Sequence, residues 1–147
     1  MTPRRLRGDE GAASTELVII APAFLFLTLL IVQFGLCFHA INVASAAAQE
    51  GARDASLYSD DRSAALAAGE ASARDLVQEL APDLIAGAQV SGSHVDGGDS
   101  VRMTVAGDVV QVVTIPGIDL AIRVNESAET PVEVFRPAGD TPSDGGP

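Results

Sequence analysis

The sequence predicts an α+β fold, with a long N-terminal helix that crosses a membrane, a second amphipathic helix and a small antiparallel β-sheet. Three observations lead to this prediction. The stretch from Leu17 to Gln49 contains no Asp, Glu, Lys or Arg. An Ala-rich segment with helical periodicity runs from Arg62 to Leu80. Alternating valines bounded by Gly and Pro follow from Ala88.

The first helix is predicted to include a membrane span from Leu17 to Phe38. At about 1.5 Å per residue this run extends roughly 33 Å, enough to cross a hydrocarbon core of about 30 Å. Pro22 should kink the helix locally. Thr28 and Gln33 are the polar residues of the run, and either can bond to its own helix backbone or to a neighbouring helix. No Pro interrupts residues 39–58, so the helix is predicted to cover residues 12–58.

A face of small residues follows the predicted span. Such a face lets another helix approach closely. Helix propensity in an Ala-rich sequence accounts for the same composition, so close packing and propensity are alternatives. The predicted packing residues are Ala40, Ala44, Ala48, Gly51 and Ala52.

The charges are distributed unevenly along the chain. Residues 1–16 contain three Arg and three acids and sum to zero, so the remaining residues carry the whole net charge of −11. Arginines ahead of an apolar run predict that the N-terminus stays in the cytoplasm and that the C-terminal domain lies outside. An acidic domain without a basic stripe argues against nucleic-acid binding.

A cleaved secretory signal peptide is the alternative interpretation of the apolar run. Ala44-Ser45-Ala46 resembles a small-residue cleavage site. However, the apolar core is longer than the usual 7–15 residues or so, and Glu16 is unlike the basic region of a signal peptide. Cys37 is expected to be a small buried side chain, with lipid modification as its alternative.

No catalytic, cofactor or metal site is predicted. His39 and His94 lie in different elements, with no acid or cysteine at ligand spacing. No Gly-rich phosphate loop follows a strand, and no Ser, His and Asp set can be assigned. We therefore expect a protein that is not an enzyme, with no cofactor and no small-molecule substrate.

The C-terminal part is predicted to form an α+β domain of residues 59–136, followed by a disordered tail of residues 137–147. Ser59, Asp60 and Asp61 are N-cap candidates for the second helix, and Pro82 should end it. Its predicted apolar face comprises Leu66, Ala73, Leu76, Val77, Leu80 and Leu84.

The predicted sheet has three to five strands. Asp96-Gly97-Gly98-Asp99 indicates a turn between the first two strands, and Gly107-Asp108 a further turn or bulge. A continuous apolar strand is predicted from Val109 to Ile115, followed by alternation at Leu120, Ile122 and Val124. A last short strand is predicted from Pro131 to Phe135.

Several elements occur in an order that resembles a known family. They are Gly11, Glu16-Leu17, Pro22, Phe34-Gly35 and the block Ala47-Ala48-Gln49-Glu50-Gly51-Ala52-Arg53. In this order they resemble the TadE-like proteins, minor pseudopilins of the Flp (tight-adherence, Tad) pilus system. The resemblance covers about residues 8–58. Two departures are Asp9-Glu10 beside Gly11, and Gln33 at a position where an acid is often found.

The resemblance implies a pilin-like protein that takes part in pilus assembly or a related secretion process. A prepilin peptidase would cut between Gly11 and Ala12 and remove a cytoplasmic leader, residues 1–11. Glu16 would then pair with the terminal ammonium of a neighbouring subunit and fix its register. An interfacial acid that reaches water is the alternative role of Glu16.

The implied partners are other pseudopilins, pilus assembly platform proteins and membrane lipid. The implied location is the cytoplasmic (inner) membrane, as a single-pass protein, or the extracellular space within a pilus. The alternative function is a secreted or membrane-anchored extracytoplasmic binding module with no pilus role.

Overall fold

The computed structural model describes residues 9–57, 61–113 and 121–132 of the chain. Two helices and one antiparallel sheet confirm the predicted α+β class. The tail, residues 137–147, and most of the predicted leader lie outside the described residues. The elements are α1 (Asp9–Leu57), α2 (Arg62–Leu80), β1 (Ile85–Val95), β2 (Ser100–Val109) and β3 (Arg123–Pro131).

Helix α1 is the longest element and begins earlier than predicted, at Asp9 rather than near Ala12. Its 49 residues correspond to a length of about 73 Å. Pro22 lies inside the helix, where its ring nitrogen has no proton to donate to the carbonyl of Val18. The length is sufficient for the helix to cross a membrane and to continue well beyond it.

Helix α2 has the predicted bounds, and Asp61 is its N-cap. The Asp61 carboxylate accepts hydrogen bonds from the backbone N–H groups of Ser63, at 2.9 Å, and Ala64, at 3.1 Å. The Ser63 hydroxyl also donates to it at 2.7 Å. The Ser63 hydroxyl first, and then the two backbone donors, lower the pKa of Asp61. The helix ends at Leu80, two residues before Pro82.

The buried face of α2 is narrower than predicted. Ala65, Gly69, Ala73 and Val77 are its buried residues. The predicted members Leu66, Leu76 and Leu84 are only partly buried, and Leu80 is 48% exposed. The physical reason is that α2 packs closely against small residues of α1, so the larger side chains can lie only beside the contact.

The sheet is antiparallel with strand order β1-β2-β3. The predicted turn between the first two strands is confirmed by a 3-10 turn, Asp96–Gly98, with positive φ at Gly97 and Gly98. Strand β1 begins at Ile85, before the predicted start at Ala88. Its register shifts between Ala86 and Gln89.

Two strand predictions differ from the structure where it describes them. Gly107 and Asp108 do not form the predicted turn, because they pair with β3 inside the ladder, whereas the bulge that was its alternative lies opposite Gly107, where the register of β1 shifts between Ala86 and Gln89. Strand β2 ends at Val109, so residues 110–113 are not the predicted strand. Residues 114–120 lie outside the described residues.

The third strand, β3, differs from prediction because most of its residues are polar. Only Val124 of this strand is buried. The predicted last strand is wrong at its start, since Pro131 ends β3 and Val132 is not in a strand. Residues 133–135 lie outside the described residues. Polar β3 forms through pairing with β2 rather than through burial of its own side chains.

The core lies between the upper half of α1, helix α2 and the sheet. Strand β2 contributes the large, fully buried side chains Val101, Met103 and Val105. Helix α1 contributes small residues from Cys37 to Ala55 to the same cluster. The described parts of the predicted domain, residues 59–136, therefore share one hydrophobic core with α1.

Candidate assembly segment: the apolar helix and its junction with the sheet

The lower half of α1 exposes a continuous apolar surface. Among the described residues, α1 is the one helix long and apolar enough to cross a membrane. A surface of this extent in contact with water is rare and indicates a membrane or a protein interface. The helix fits a membrane anchor. Its exposed large side chains in this half are Leu17, Val18, Ile19, Ile20, Phe24, Leu25, Phe26, Leu27, Ile31, Val32, Phe34 and Phe38.

The predicted processing site lies in the first turn of α1. Gly11 and Ala12 follow closely on Asp9, where the helix begins. Glu16 is exposed beside Leu17, and no ion pair joins it to another described residue. The roles of all three remain predictions.

The two polar residues of the predicted span bond in different ways. The Thr28 hydroxyl donates to the carbonyl of Phe24 at 2.9 Å, within its own helix, as one alternative predicted. Gln33 reaches out of the helix instead. Its Oε1 accepts from the N–H of Val112 at 2.7 Å, and its Nε2 donates to the carbonyl of Val110 at 3.3 Å. Gln33 thus ties the segment after β2 to the apolar helix.

The sequence does not predict this contact of Gln33. From sequence, Gln33 is a departure from an expected acid and a residue that can bond to its own helix or to a neighbouring helix. An amide carries both a donor and an acceptor, so it can satisfy a free N–H and a free C=O together, whereas a carboxylate can only accept. The signal was present in the residue type, but the partner is 79 residues away in sequence.

Apolar side chains surround this junction. Val110, Val112 and Ile122 are 41%, 47% and 36% exposed, whereas Val113 is buried. A small apolar pocket lies between the helix and this segment. Its lining residues are Leu30, Gln33, Phe34, Gln111, Val113 and Ile122.

The predicted small-residue face is buried inside the chain. Ala40, Ala44, Ala48 and Ala52 are 0% exposed. At Gly51, a Cβ would lie 2.6 Å from the carbonyl oxygen of Gly69 and 2.9 Å from the Cβ of Ala73. The helix that approaches this face closely is therefore α2 of the same chain.

The opposite face of upper α1 is polar and open. Gln49, Glu50 and Arg53 are exposed and line a groove with β3 residues that include Glu129. The Ser100 hydroxyl is the largest cause that lowers the pKa of Glu129, and the Arg102 guanidinium is the next. Both donate to Glu129 at 2.8 Å.

A second polar tie joins α2 to β1. The Glu70 carboxylate accepts from the N–H of Gly92 at 3.0 Å and from Arg74 at 2.8 Å. The hydrogen bond from the Gly92 N–H is the largest cause that lowers the pKa of Glu70, and the Arg74 guanidinium is the next. This carboxylate therefore stabilises the fold more when it is ionised than when it is protonated.

The described residues contain no group of three or more His, Cys, Asp and Glu side chains that could hold a metal ion. The Nε2 atom of His94 lies 3.3 Å from the carbonyl of Arg62. Cys37 is buried, and the Gln33 amide lies 3.6 Å from its Sγ. Cys37 therefore has the environment of a small core residue.

Comparison with known proteins bears on the N-terminal segment. Residues 11–53 match the family model described as TadE-like protein. No curated protein and no solved structure matches the chain. The match, from Gly11 to Arg53, covers the apolar half of α1 and the whole small-residue face. Residues 11–53 are therefore similar to TadE-like proteins, which confirms the resemblance over that segment.

Proposed function

We propose that the protein is a membrane-anchored minor pseudopilin that takes part in Flp/Tad-type pilus assembly or a related secretion process. One observation carries the proposal: the TadE-like segment, residues 11–53, is a single continuous helix. Its lower half exposes apolar side chains, and its upper half forms the core of a small α+β domain. This layout suits a protein that acts by assembly rather than by catalysis.

The proposed topology is a single pass through the cytoplasmic membrane, with the N-terminus inside and the C-terminal domain outside. The argument rests on charge, since the arginines of the chain's first segment precede the apolar run, and the acidic remainder follows it. Assembly into a pilus would take the domain into the extracellular space. The proposed partners are other pseudopilins and the assembly platform.

In this proposal a prepilin peptidase cleaves between Gly11 and Ala12. Mass spectrometry of the mature protein should then find Ala12 at the N-terminus, and deletion of the peptidase should restore the intact N-terminus. An intact Met1 in the presence of the peptidase would contradict processing. A start near Ala47 would identify the apolar run as a cleaved signal peptide.

Glu16 is proposed to pair with the ammonium of a neighbouring subunit's Ala12. A carboxylate at the edge of the apolar run is costly without a partner, and none is present among the described residues. Glu16→Gln removes the charge at nearly constant shape, so pilus number should fall while cleavage continues. Glu79→Gln, at an exposed site on α2, is the matched control. Normal pili in the Glu16 variant would contradict the pairing.

The alternative, a binding module with no pilus role, predicts a monomer in the membrane. Cross-linking separates the two, provided that the cysteines are placed on an exposed face. Ala44 and Ala48 are unsuitable because they are buried within the chain. Gln49→Cys or Arg53→Cys in a Cys37→Ser background should give cross-linked oligomers if the protein assembles. Monomers at both positions in piliated cells would favour the binding module.

A further inference from the structure

We propose that the base of the C-terminal domain is itself a lipid-contacting surface, in which Val110, Val112 and Ile122 enter the membrane interface beside α1. This inference rests on the proposed insertion of α1 in a bilayer, and it adds a second element that touches lipid. The three side chains are 41%, 47% and 36% exposed. We call them the base patch.

The axial position of the base patch is the first argument. Hydrogen bonds of 2.7 and 3.3 Å to Gln33 hold residues 110–112 level with that turn of α1. From Leu17 to Gln33 the helix rises only about 25 Å, whereas the hydrocarbon core is about 30 Å thick. With Glu16 at the inner boundary, the base patch therefore lies about 5 Å inside the outer boundary of the core.

The pairing of the backbone is the second argument. Irregular backbone is tolerated in an apolar medium only where its polar groups are satisfied within the protein. Gln33 satisfies the N–H of Val112 and the carbonyl of Val110. The N–H of Val110 donates to the carbonyl of Leu84 at 2.9 Å. The N–H of Val109 donates to the carbonyl of Ile122 at 2.8 Å. Four polar groups next to the exposed valines are thus already paired.

An ion pair limits the depth to which the domain can insert into the bilayer. Asp108 and Arg123 form an ion pair at 3.1 Å across the β2–β3 pair. They are next to Val109 and Ile122 in sequence and lie farther than these from the lower half of α1. Their side chains are 53% and 73% exposed. Charged side chains with this exposure are stable in water or among lipid headgroups, and costly in the hydrocarbon core. The base patch therefore lies within about 5 Å of the boundary between headgroups and acyl chains, on the acyl side, and goes no deeper.

Continuity with the membrane helix identifies the occupant as lipid rather than a second protein. Phe34, which follows Gln33, is 70% exposed and lines the pocket beside Ile122, so the base patch extends the apolar surface of the span sideways. A domain seated in this way would also hold the tilt of α1 in the membrane.

Depth-dependent quenching in reconstituted vesicles tests the inference. In a Cys37→Ser background, single cysteines replace Val112, Phe26 in the middle of the span, or Ser93 on β1 near the other end of the sheet. Each is labelled with an environment-sensitive nitrobenzoxadiazole dye in phosphatidylcholine vesicles. The lipids carry bromine near the headgroup end of the chain or near its terminus, and unbrominated lipid is the reference.

The expected result is that lipids brominated near the headgroup quench the probe at Val112 and shift its emission to the blue. The probe at Phe26 should be quenched most by deep bromines, and the probe at Ser93 should be unaffected. Quenching at Phe26 without quenching at Val112 would overturn the base patch and leave the anchor standing. A blue shift at Val112 without quenching would also overturn it, because protein would then cover the patch. No quenching at Phe26 would overturn the anchor and the inference together.

Discussion

The crossing of α1 and α2 at Gly51 and Gly69 makes the sharpest test of the fold. Gly51→Ala places a methyl group 2.6 Å from the Gly69 carbonyl oxygen, where ordinary contact begins at 3.4 Å. The helices must therefore separate by several tenths of an ångström. The opposing atom belongs to the backbone, so no rotamer change can relieve the overlap.

The magnitude follows from two opposed effects. Overpacking a well-packed core costs about 1–3 kcal/mol, and a clash with backbone belongs at the upper end of that range. Alanine stabilises a helix interior by about 1 kcal/mol relative to glycine. The net loss at Gly51 is then about 2 kcal/mol, which lowers the melting temperature of a chain of about 150 residues by roughly 4–8 °C.

Thermal unfolding of the detergent-solubilised protein, followed by circular dichroism, measures this loss. Gly35→Ala is the matched control, because it lies in the same helix and a Cβ there meets nothing within 4 Å. Its melting temperature should stay constant or rise. Gly69→Ala should destabilise like Gly51→Ala, and the double variant by less than the sum, since one separation relieves both overlaps. A Gly51 variant as stable as the Gly35 variant would refute the close crossing.

Three further predictions concern polar contacts. Asp61→Ala removes the N-cap of α2 and should lower the melting temperature in the same experiment, whereas Asp61→Asn should stay close to the unsubstituted protein. Gln33→Leu removes the side-chain partner of the Val112 N–H and the Val110 carbonyl, so hydrogen–deuterium exchange of that segment should rise. Glu70 has a pKa below its ordinary value of 4.5, so its stabilising contribution is complete above pH 4.5 and is lost as the pH falls through the lower, folded value. Glu70→Gln should flatten that loss in acid melts, and Glu79→Gln should not; equal profiles for the two variants would contradict the assignment.

The helices were predictable because their signals are local. The bounds of α2 follow from a capping acid at Asp61 and an Ala-rich run, and α1 follows from composition alone. Strand β3 carries no such signal, because its residues are mostly polar and exposed. It becomes a strand through pairing with β2, from Ser100 opposite Pro131 to Asp108 opposite Arg123. Such pairing is a property of the fold and not of the segment.

Gly107 is a single residue whose role, like that of strand β3, cannot be predicted from the local sequence. Glycine followed by aspartate is typical of turns, which is why a turn or bulge was predicted there. In the sheet, a Cβ at Gly107 would lie 3.2 Å from the carbonyl oxygen of Ala86 and would also meet Ile85. The glycine therefore serves a close approach of β1 to β2, and only the tertiary structure distinguishes this use from a turn.

The block from Ala47 to Arg53 now divides into two surfaces. Ala47, Ala48, Gly51 and Ala52 are buried against the chain's own domain, so the small residues that resemble a subunit interface are accounted for by folding. Glu50 and Arg53 point the other way, are exposed, and form no ion pair with other described residues. Two unpaired charges of opposite sign on one helix face can be satisfied by the same face of a neighbouring copy. If subunits associate through α1 beyond the apolar run, we expect the contact to use an exposed face such as this one, because the small-residue face is already occupied.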